Sequence, residues 1–229
     1  MECKPQIAIV DYGLGNLFSV KQACEWVGMQ AQITASHADL FAADAVILPG
    51  VGAYGRAMEA LRKLDLVEPL RDIGASDRWL IGICLGLQLL MTESYEFGIH
   101  QGLGIIEGDV VPLENPVDSS WLDGKSRRLK VPQVCWNRIW TTDAENPTWN
   151  NSPLAGLSNG EYMYFVHSFY VKPVNEACVV STTQYGGIKF CSSIMYNNTF
   201  ACQFHPERSG PQGLMIYENI ATMVQRGLE

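Results

Sequence analysis

Trp79-Leu80-Ile81-Gly82-Ile83-Cys84-Leu85-Gly86-Leu87-Gln88-Leu89-Leu90 runs from a short apolar stretch through Gly-x-Cys-x-Gly into an amphipathic helical pattern. This order predicts a strand, a tight turn and a helix, with one side chain pushed into the open: the thiol form of a nucleophile elbow. Gly82 and Gly86 remove Cβ atoms that would clash in so tight a turn. Cys84 falls at the helix N-terminus, where backbone N–H groups and the helix dipole favour a thiolate. A cysteine that merely fills a core needs neither flanking glycine nor a strand-to-helix junction. Cys84 is therefore the candidate nucleophile.

A nucleophile of this kind needs a base, and in thiol hydrolases the base is histidine. The chain offers His37, His100, His167 and His205. His37 lies in a polar connection and His100 in a Gly-flanked loop, so both read as solvated. His167 sits in the apolar run Tyr164-Phe165-Val166-His167-Ser168-Phe169-Tyr170 and reads as a satisfied, partly buried structural residue. His205 ends a strand and precedes Pro206, which biases it to extended geometry. Glu207 can then fold back on the ring, fix its tautomer and leave the other nitrogen to face the thiol. Cys84, His205 and Glu207 form the expected catalytic set.

The flanking pattern supplies a fold. Gln6–Asp11, Gln30–Thr34, Ala45–Leu48 and Arg78–Ile83 read as buried strands, alternating with helices through about Val27 and over Ala57–Ile73. Such alternation predicts an α/β fold: a flavodoxin-like, mostly parallel central sheet flanked by helices. The second half changes to strands over Ile105–Leu113, Gln133–Thr141, Tyr162–Val171, Ala177–Thr183, Ile188–Tyr196 and Thr199–Phe204, then a helix over about Gly213–Arg226. These predict an additional antiparallel layer. The polar stretches Glu114–Lys130 and Asp143–Pro153 read as surface loops. Pro49-Gly50-Val51-Gly52 ends a parallel strand on the elbow's sheet edge. Its backbone N–H groups, with that of Leu85, can meet a developing oxyanion.

Composition bounds the partners. With 229 residues, 47% of them hydrophobic, the chain can bury one substantial core, so a single domain over 1–229 is expected. The formal net charge of −8 argues against nucleic acid or an anionic membrane as partner. No apolar run is long enough for a membrane span, and the four-residue apolar run after Pro5 is too short for a signal peptide. The seven cysteines (3, 24, 84, 135, 178, 191, 202) are odd in number and contain no Cys-x-x-Cys pair. Zinc ribbons and disulfide frameworks are disfavoured, no metal site is expected, and a reducing cytoplasmic setting fits. Asp11-Tyr12-Gly13-Leu14-Gly15-Asn16 lacks the third glycine of a dinucleotide loop, so NAD is rejected and no cofactor is expected.

With these residues in hand, the chain resembles a class I, triad-type glutamine amidotransferase. More narrowly, it resembles the glutaminase subunits of imidazole glycerol phosphate synthase. The likeness runs through Asp11-Tyr12-Gly13-x-Gly15-Asn16, Leu48-Pro49-Gly50-Val51-Gly52, the elbow through Gln88, Trp136-Asn137, Tyr164-Phe165-Val166-His167-Ser168, and Gln203-Phe204-His205-Pro206-Glu207-Arg208-Ser209-Gly210. It implies that the Cys84 thiolate attacks the side-chain amide of glutamine, that His205 protonates the departing ammonia, and that the thioester is hydrolysed. It also implies that Gly52, Gln88, Ser168 and Phe169 hold glutamine, and that the Val51 and Leu85 backbones form the oxyanion hole. The implied partner is a (β/α)8-barrel cyclase, fed with ammonia through an internal route for histidine biosynthesis; Tyr164 and Arg208 face it. Two departures stand out. The family usually reads Pro-His-Met-Gly-Trp-Asn where this chain has Pro132-Gln133-Val134-Cys135-Trp136-Asn137, and it usually has lysine where this chain has Arg208. They leave room for a paralogue that supplies ammonia for sugar amination in surface-polysaccharide synthesis. A Cys-His-Glu peptidase-like hydrolase would need neither Gln88 nor the Pro-Gly-Val-Gly strand. A non-catalytic amidotransferase shell would not need Cys84, His205 and Glu207 intact.

Overall fold

The computed structural model describes residues 4–119, 126–142 and 148–227. The first half lays down β1 (Gln6–Val10), α1 (Leu17–Trp26), β2 (Gln30–Thr34), α2 (His37–Ala42), β3 (Ala45–Gly50), α3 (Tyr54–Lys63), α4 (Val67–Ala75), β4 (Trp79–Cys84) and the short α5 (Leu85–Leu89). Three short or peripheral strands follow, β5 (Glu93–Ser94), β6 (His100–Gln101) and β7 (Gly108–Pro112), then the small ladder of β8 (Val117–Asp118) with β9 (Arg127–Arg128). The rest comprises β10 (Gln133–Arg138), β11 (Trp140–Thr141), β12 (Tyr162–His167), β13 (Phe169–Pro173), β14 (Val179–Tyr185), β15 (Ile188–Tyr196), β16 (Thr199–Cys202) and α6 (Gly210–Arg226).

The main sheet has eight strands in the order β11-β14-β15-β16-β4-β3-β1-β2. Its β2-β1-β3-β4-β16 portion is parallel, and β15, β14 and β11 continue it antiparallel. The predicted fold is present, with one refinement: part of the antiparallel material extends the central sheet. The remainder forms a four-stranded sheet, β13-β7-β5-β6, and the β10/β12 pair.

Both faces of the parallel portion are covered, which is why its strands read as unbroken apolar runs. Side chains alternate between two cores. Ala8, Val10, Val46, Leu48 and Leu80 face Leu40 of α2, Met58 and Leu61 of α3, and Leu70 and Ile73 of α4. Ile7, Ile9, Ile47, Ile81 and Ile83 face Val20 and Cys24 of α1 and Ile216, Tyr217 and Ile220 of α6. Each fully buried aliphatic side chain contributes about 2 kcal/mol of hydrophobic stabilisation. Asn16 ends the Asp11–Gly15 loop by capping α1, its side chain accepting from the Ser19 N–H at 3.4 Å.

Several boundaries differ from the sequence reading. The expected helix Ala57–Ile73 is two helices, broken where Asp65 takes φ 55. Expected strand Tyr162–Val171 is β12 and β13, which pair with different partners on either side of Ser168. The elbow helix is not amphipathic: α5 is buried on every side, between the sheet and α3. Of the two stretches read as surface loops, 120–125 and 143–147 lie outside the described residues. Trp149 in the second is buried, its indole N–H donating to the Val180 carbonyl at 2.9 Å. His100 is half-buried rather than solvated, its ring packed on Gly55 and 6.3 Å from that of Tyr54.

Candidate active site

Parallel register brings the site together. Gly50 on β3 and Cys84 on β4 are direct partners. On the other side of β4, Ile83 is the partner of Cys202 on β16. The residues leaving β3, β4 and β16 therefore emerge side by side: Val51 and Gly52, Cys84 and Leu85, Gln203 and His205. This is the carboxyl-end crevice where open α/β sheets bind ligands.

The turn is strained where the chemistry is expected. Cys84 takes φ 55 and ψ −107, a conformation that costs a non-glycine residue about 1–3 kcal/mol. The left-handed backbone belongs to Cys84 itself, and the flanking glycines do what the sequence predicts: a Cβ on Gly82 would crowd the Leu87 nitrogen at 3.0 Å within the turn. A Cβ on Gly86 would collide with the Leu48 carbonyl, and one on Gly82 would lie 2.9 Å from the Ala201 Cβ. They let α5 settle directly onto β3 and β4 onto β16.

His205 follows β16 with φ −105 and ψ 94, and its N–H donates to the Tyr164 carbonyl at 2.9 Å. Its Nδ1 lies 2.8 Å from Glu207 Oε1, with both side chains almost fully buried. Burial alone would lower the imidazole pKa. The negative charge of a Cys84 thiolate and the Glu207 carboxylate outweigh it and push it up to about 10. The charged form of the His205 ring is therefore favoured beside Cys84. Its Nε2 is buried and makes no hydrogen bond within the protein. The Cys84 sulfur lies 3.7 Å from the Val166 carbonyl and accepts from Gln203 Nε2 at 3.6 Å.

Cys84 opens into a cavity of about 240 Å³. That is below the roughly 300–1,000 Å³ usual for drug-sized ligands and suited to an amino acid. Val51, Gly52, Leu85, Gln88, Ser168 and Phe169, all singled out in the sequence, line it with Cys84. Tyr164 and Arg208 lie on the outer side of the pair His205–Glu207. The guanidinium stands 4.5 Å over the Tyr164 ring, which is 6.4 Å from the His205 ring.

Sequence reasoning missed four features. Glu96 lines the cavity and supplies its one carboxylate among the described lining residues; it belongs to a loop, where no periodicity announces orientation. His167 also lines it. Its Nδ1 donates to the Phe169 carbonyl at 2.9 Å, but its Nε2 is buried without a partner, so it is only half satisfied. Burial, partly offset by that bond and reinforced by the His205 charge, lowers its pKa to about 4. Pro132 completes the rim. Gln203 lies in the bend after β16, and its contacts depend on what lies across the sheet.

No helix among the described residues is long and apolar enough to cross a membrane, and no cluster of metal-ligating side chains occurs among them.

Comparison with known proteins follows the same line. The model of the family "Glutamine amidotransferase class-I" matches residues 8–223. The imidazole glycerol phosphate synthase subunit HisH of Rhodopirellula baltica is 41% identical, over 94% of this chain and 97% of that protein. The same subunit of Syntrophotalea carbinolica is 44% identical, over 95% of this chain and 100% of that protein. Among solved structures, PurLQS from Thermotoga maritima superposes with a TM-score of 0.69 at 18% identity, covering 96% of this chain and 99% of that one, a likeness of fold. The chain belongs to the glutamine amidotransferase class-I family and, within it, to the imidazole glycerol phosphate synthase HisH subunits.

Proposed function

We propose that this chain is the glutaminase subunit of an imidazole glycerol phosphate synthase. It would hydrolyse glutamine to glutamate and ammonia and hand the ammonia to a (β/α)8-barrel cyclase subunit. The observation that carries the reading is the buried His205–Glu207 pair set beside Cys84 at an amino-acid-sized cavity, in a chain about 40% identical to HisH subunits.

The chemistry follows from the geometry. Thiolate Cys84 adds to the side-chain amide carbon, and the N–H groups of Val51 and Leu85 meet the oxyanion. The imidazolium of His205 gives its proton to the departing nitrogen, so ammonia leaves and a γ-glutamyl thioester remains. The now neutral ring takes a proton from water, which attacks the thioester and releases glutamate. Glu207 keeps the ring's tautomer and orientation throughout. Gly52, Gln88, Ser168 and Phe169 hold the glutamine, and the Glu96 carboxylate is suited to its α-ammonium. Tyr164 and Arg208 face the barrel. Ammonia must travel inside the complex, because in bulk water it is protonated and loses its nucleophilicity.

We read the chain as one amidotransferase domain over 1–229, supported by a family match over 8–223. A cytoplasmic setting is supported by the free thiols at Cys24, Cys84, Cys135, Cys178, Cys191 and Cys202. A role in sugar amination is not favoured, because the relatives at this identity are histidine-pathway subunits. Measuring glutamate release with and without the barrel subunit of the same organism tests the reading. Release that depends on Cys84, coupled to imidazole glycerol phosphate formation, supports it; no glutamine turnover with any barrel overturns it.

A further inference from the structure

Behind the cavity, buried hydrogen bonds form a connected path that ends on the sulfur. His167 Nδ1 and Gln88 Nε2 both donate to the Phe169 carbonyl, at 2.9 and 3.0 Å. Gln88 Nε2 also donates to Gln203 Oε1 at 3.0 Å. Gln203 Nε2 in turn donates to Cys84 Sγ at 3.6 Å. Gln203 is fully buried, and its own N–H is held by the Ser192 carbonyl at 2.9 Å.

A primary amide has two N–H donors and one acceptor oxygen. Both Gln88 hydrogens are occupied, so its oxygen is the only group left for a ligand. The Gln203 amide cannot be reversed, because its nitrogen would then meet the Gln88 donor. A glutamine buried only to complete a core has no need to aim a donor at the nucleophile. We infer that Gln203 is a positioning residue, holding the Cys84 thiolate with one amide N–H while its oxygen fixes Gln88 with the acceptor free for the ligand. The half of this that concerns Gln88 rests on the glutaminase reading; the half that concerns the thiol does not.

Other titratable groups also bear on Cys84 and stay in place in the test. They are His205 and Glu207 after β16, Cys202 on β16, Tyr12 after β1, and His167 and Glu96 around the cavity. The experiment is the pH profile of Cys84 alkylation by iodoacetamide, read on the Cys84 peptide by mass spectrometry. In Gln203→Met the midpoint should move up by about one pH unit, or about tenfold slower alkylation on the acid side, because a hydrogen bond to the charged form is lost. In Gln88→Met the midpoint should stay put while KM for glutamine rises more than kcat falls. A Gln203→Met profile superimposed on that of the unaltered chain overturns the inference. The unaltered chain gives a second readout, needed if Gln203→Met does not fold. Its Gln203 side-chain amide proton resonance should shift with pH in step with alkylation, and should cease to do so in Cys84→Ala. A resonance indifferent to Cys84 overturns the inference as well. Failure of the glutaminase reading would show separately, as absent glutamine turnover with the thiol profile intact.

Discussion

At the scale of single residues, Cys84 joins strain to chemistry. Its φ of 55 and ψ of −107 suit glycine better than any L residue. Cys84→Ala and Cys84→Gly should both lose glutamine turnover by several orders of magnitude, since the covalent step is gone. Cys84→Gly should nonetheless be more stable than Cys84→Ala by about 1 kcal/mol in urea unfolding. Equal stabilities would mean that no strain is held there. The two buried histidines tilt stability in opposite directions. His167, lowered to about 4, stays neutral when folded. An unfolded chain protonates it first as pH falls below about 6.5, so its contribution is present above that pH and lost between about 6.5 and 4. His167→Gln should remove up to about 3 kcal/mol of that acid-side slope, measured as urea stability against pH. His205, raised to about 10, contributes fully below about 6.5 and loses that contribution as pH climbs toward 10. Cys84, His205 and Glu207, the proposed nucleophile, base and orienting carboxylate, were readable as a set because each sits in a short motif whose local spacing fixes its geometry. Glu96 and Gln203 were not read, because their roles depend on what lies across the sheet.

Elements were legible where one face or both were plainly apolar. β3 and β4 announced themselves as continuous runs, while α2 went unread because Leu40 is its only buried residue. Its cap was nevertheless written in the sequence: Ser36 accepts from the Asp39 N–H at 3.4 Å. The break between α3 and α4 was hidden because Leu61, Leu66 and Leu70 keep the apolar count going across it. Pro69 was the clue, since proline is tolerated only in the first turn of a helix. The segment after β3 is tied down from below, where the buried Tyr12 hydroxyl donates to the Pro49 carbonyl at 2.7 Å. Beyond that tie, Val51 is exposed and Gly52 takes φ 113. Tyr12→Phe should cost about 1–2 kcal/mol in urea unfolding, since a buried acceptor loses its donor. It should also change kcat for glutamine more than KM, because the loosened strand carries the expected oxyanion donor. An unchanged kcat would separate Tyr12 from the oxyanion strand.

The whole molecule was legible in class and not in closure. Alternating strands and helices predict a parallel sheet, but nothing local reveals that β16 slots between β4 and β15. On the proposed reading, this chain works with a barrel subunit, and alone it should be a poor glutaminase. Adding the barrel subunit and its acceptor should raise kcat by about two to three orders of magnitude, the worth of one oxyanion donor turned into place. Full-rate turnover by the isolated chain, indifferent to both, would make it a stand-alone hydrolase. The late insertion of β16 has a consequence for biosynthesis. Cys84 and Gln203 are 119 positions apart, and His205, the proposed base, lies beyond Gln203. A ribosome therefore completes the nucleophile long before the residues that activate it, and the long-range pairing that unites them forms slowly. A truncated or half-folded chain carries a thiol with no partner to ionise it. During refolding, activity should return only as the Phe200–Cys202 amides become protected from exchange. Ammonia release is thus withheld from every chain whose last strand has not yet gone home.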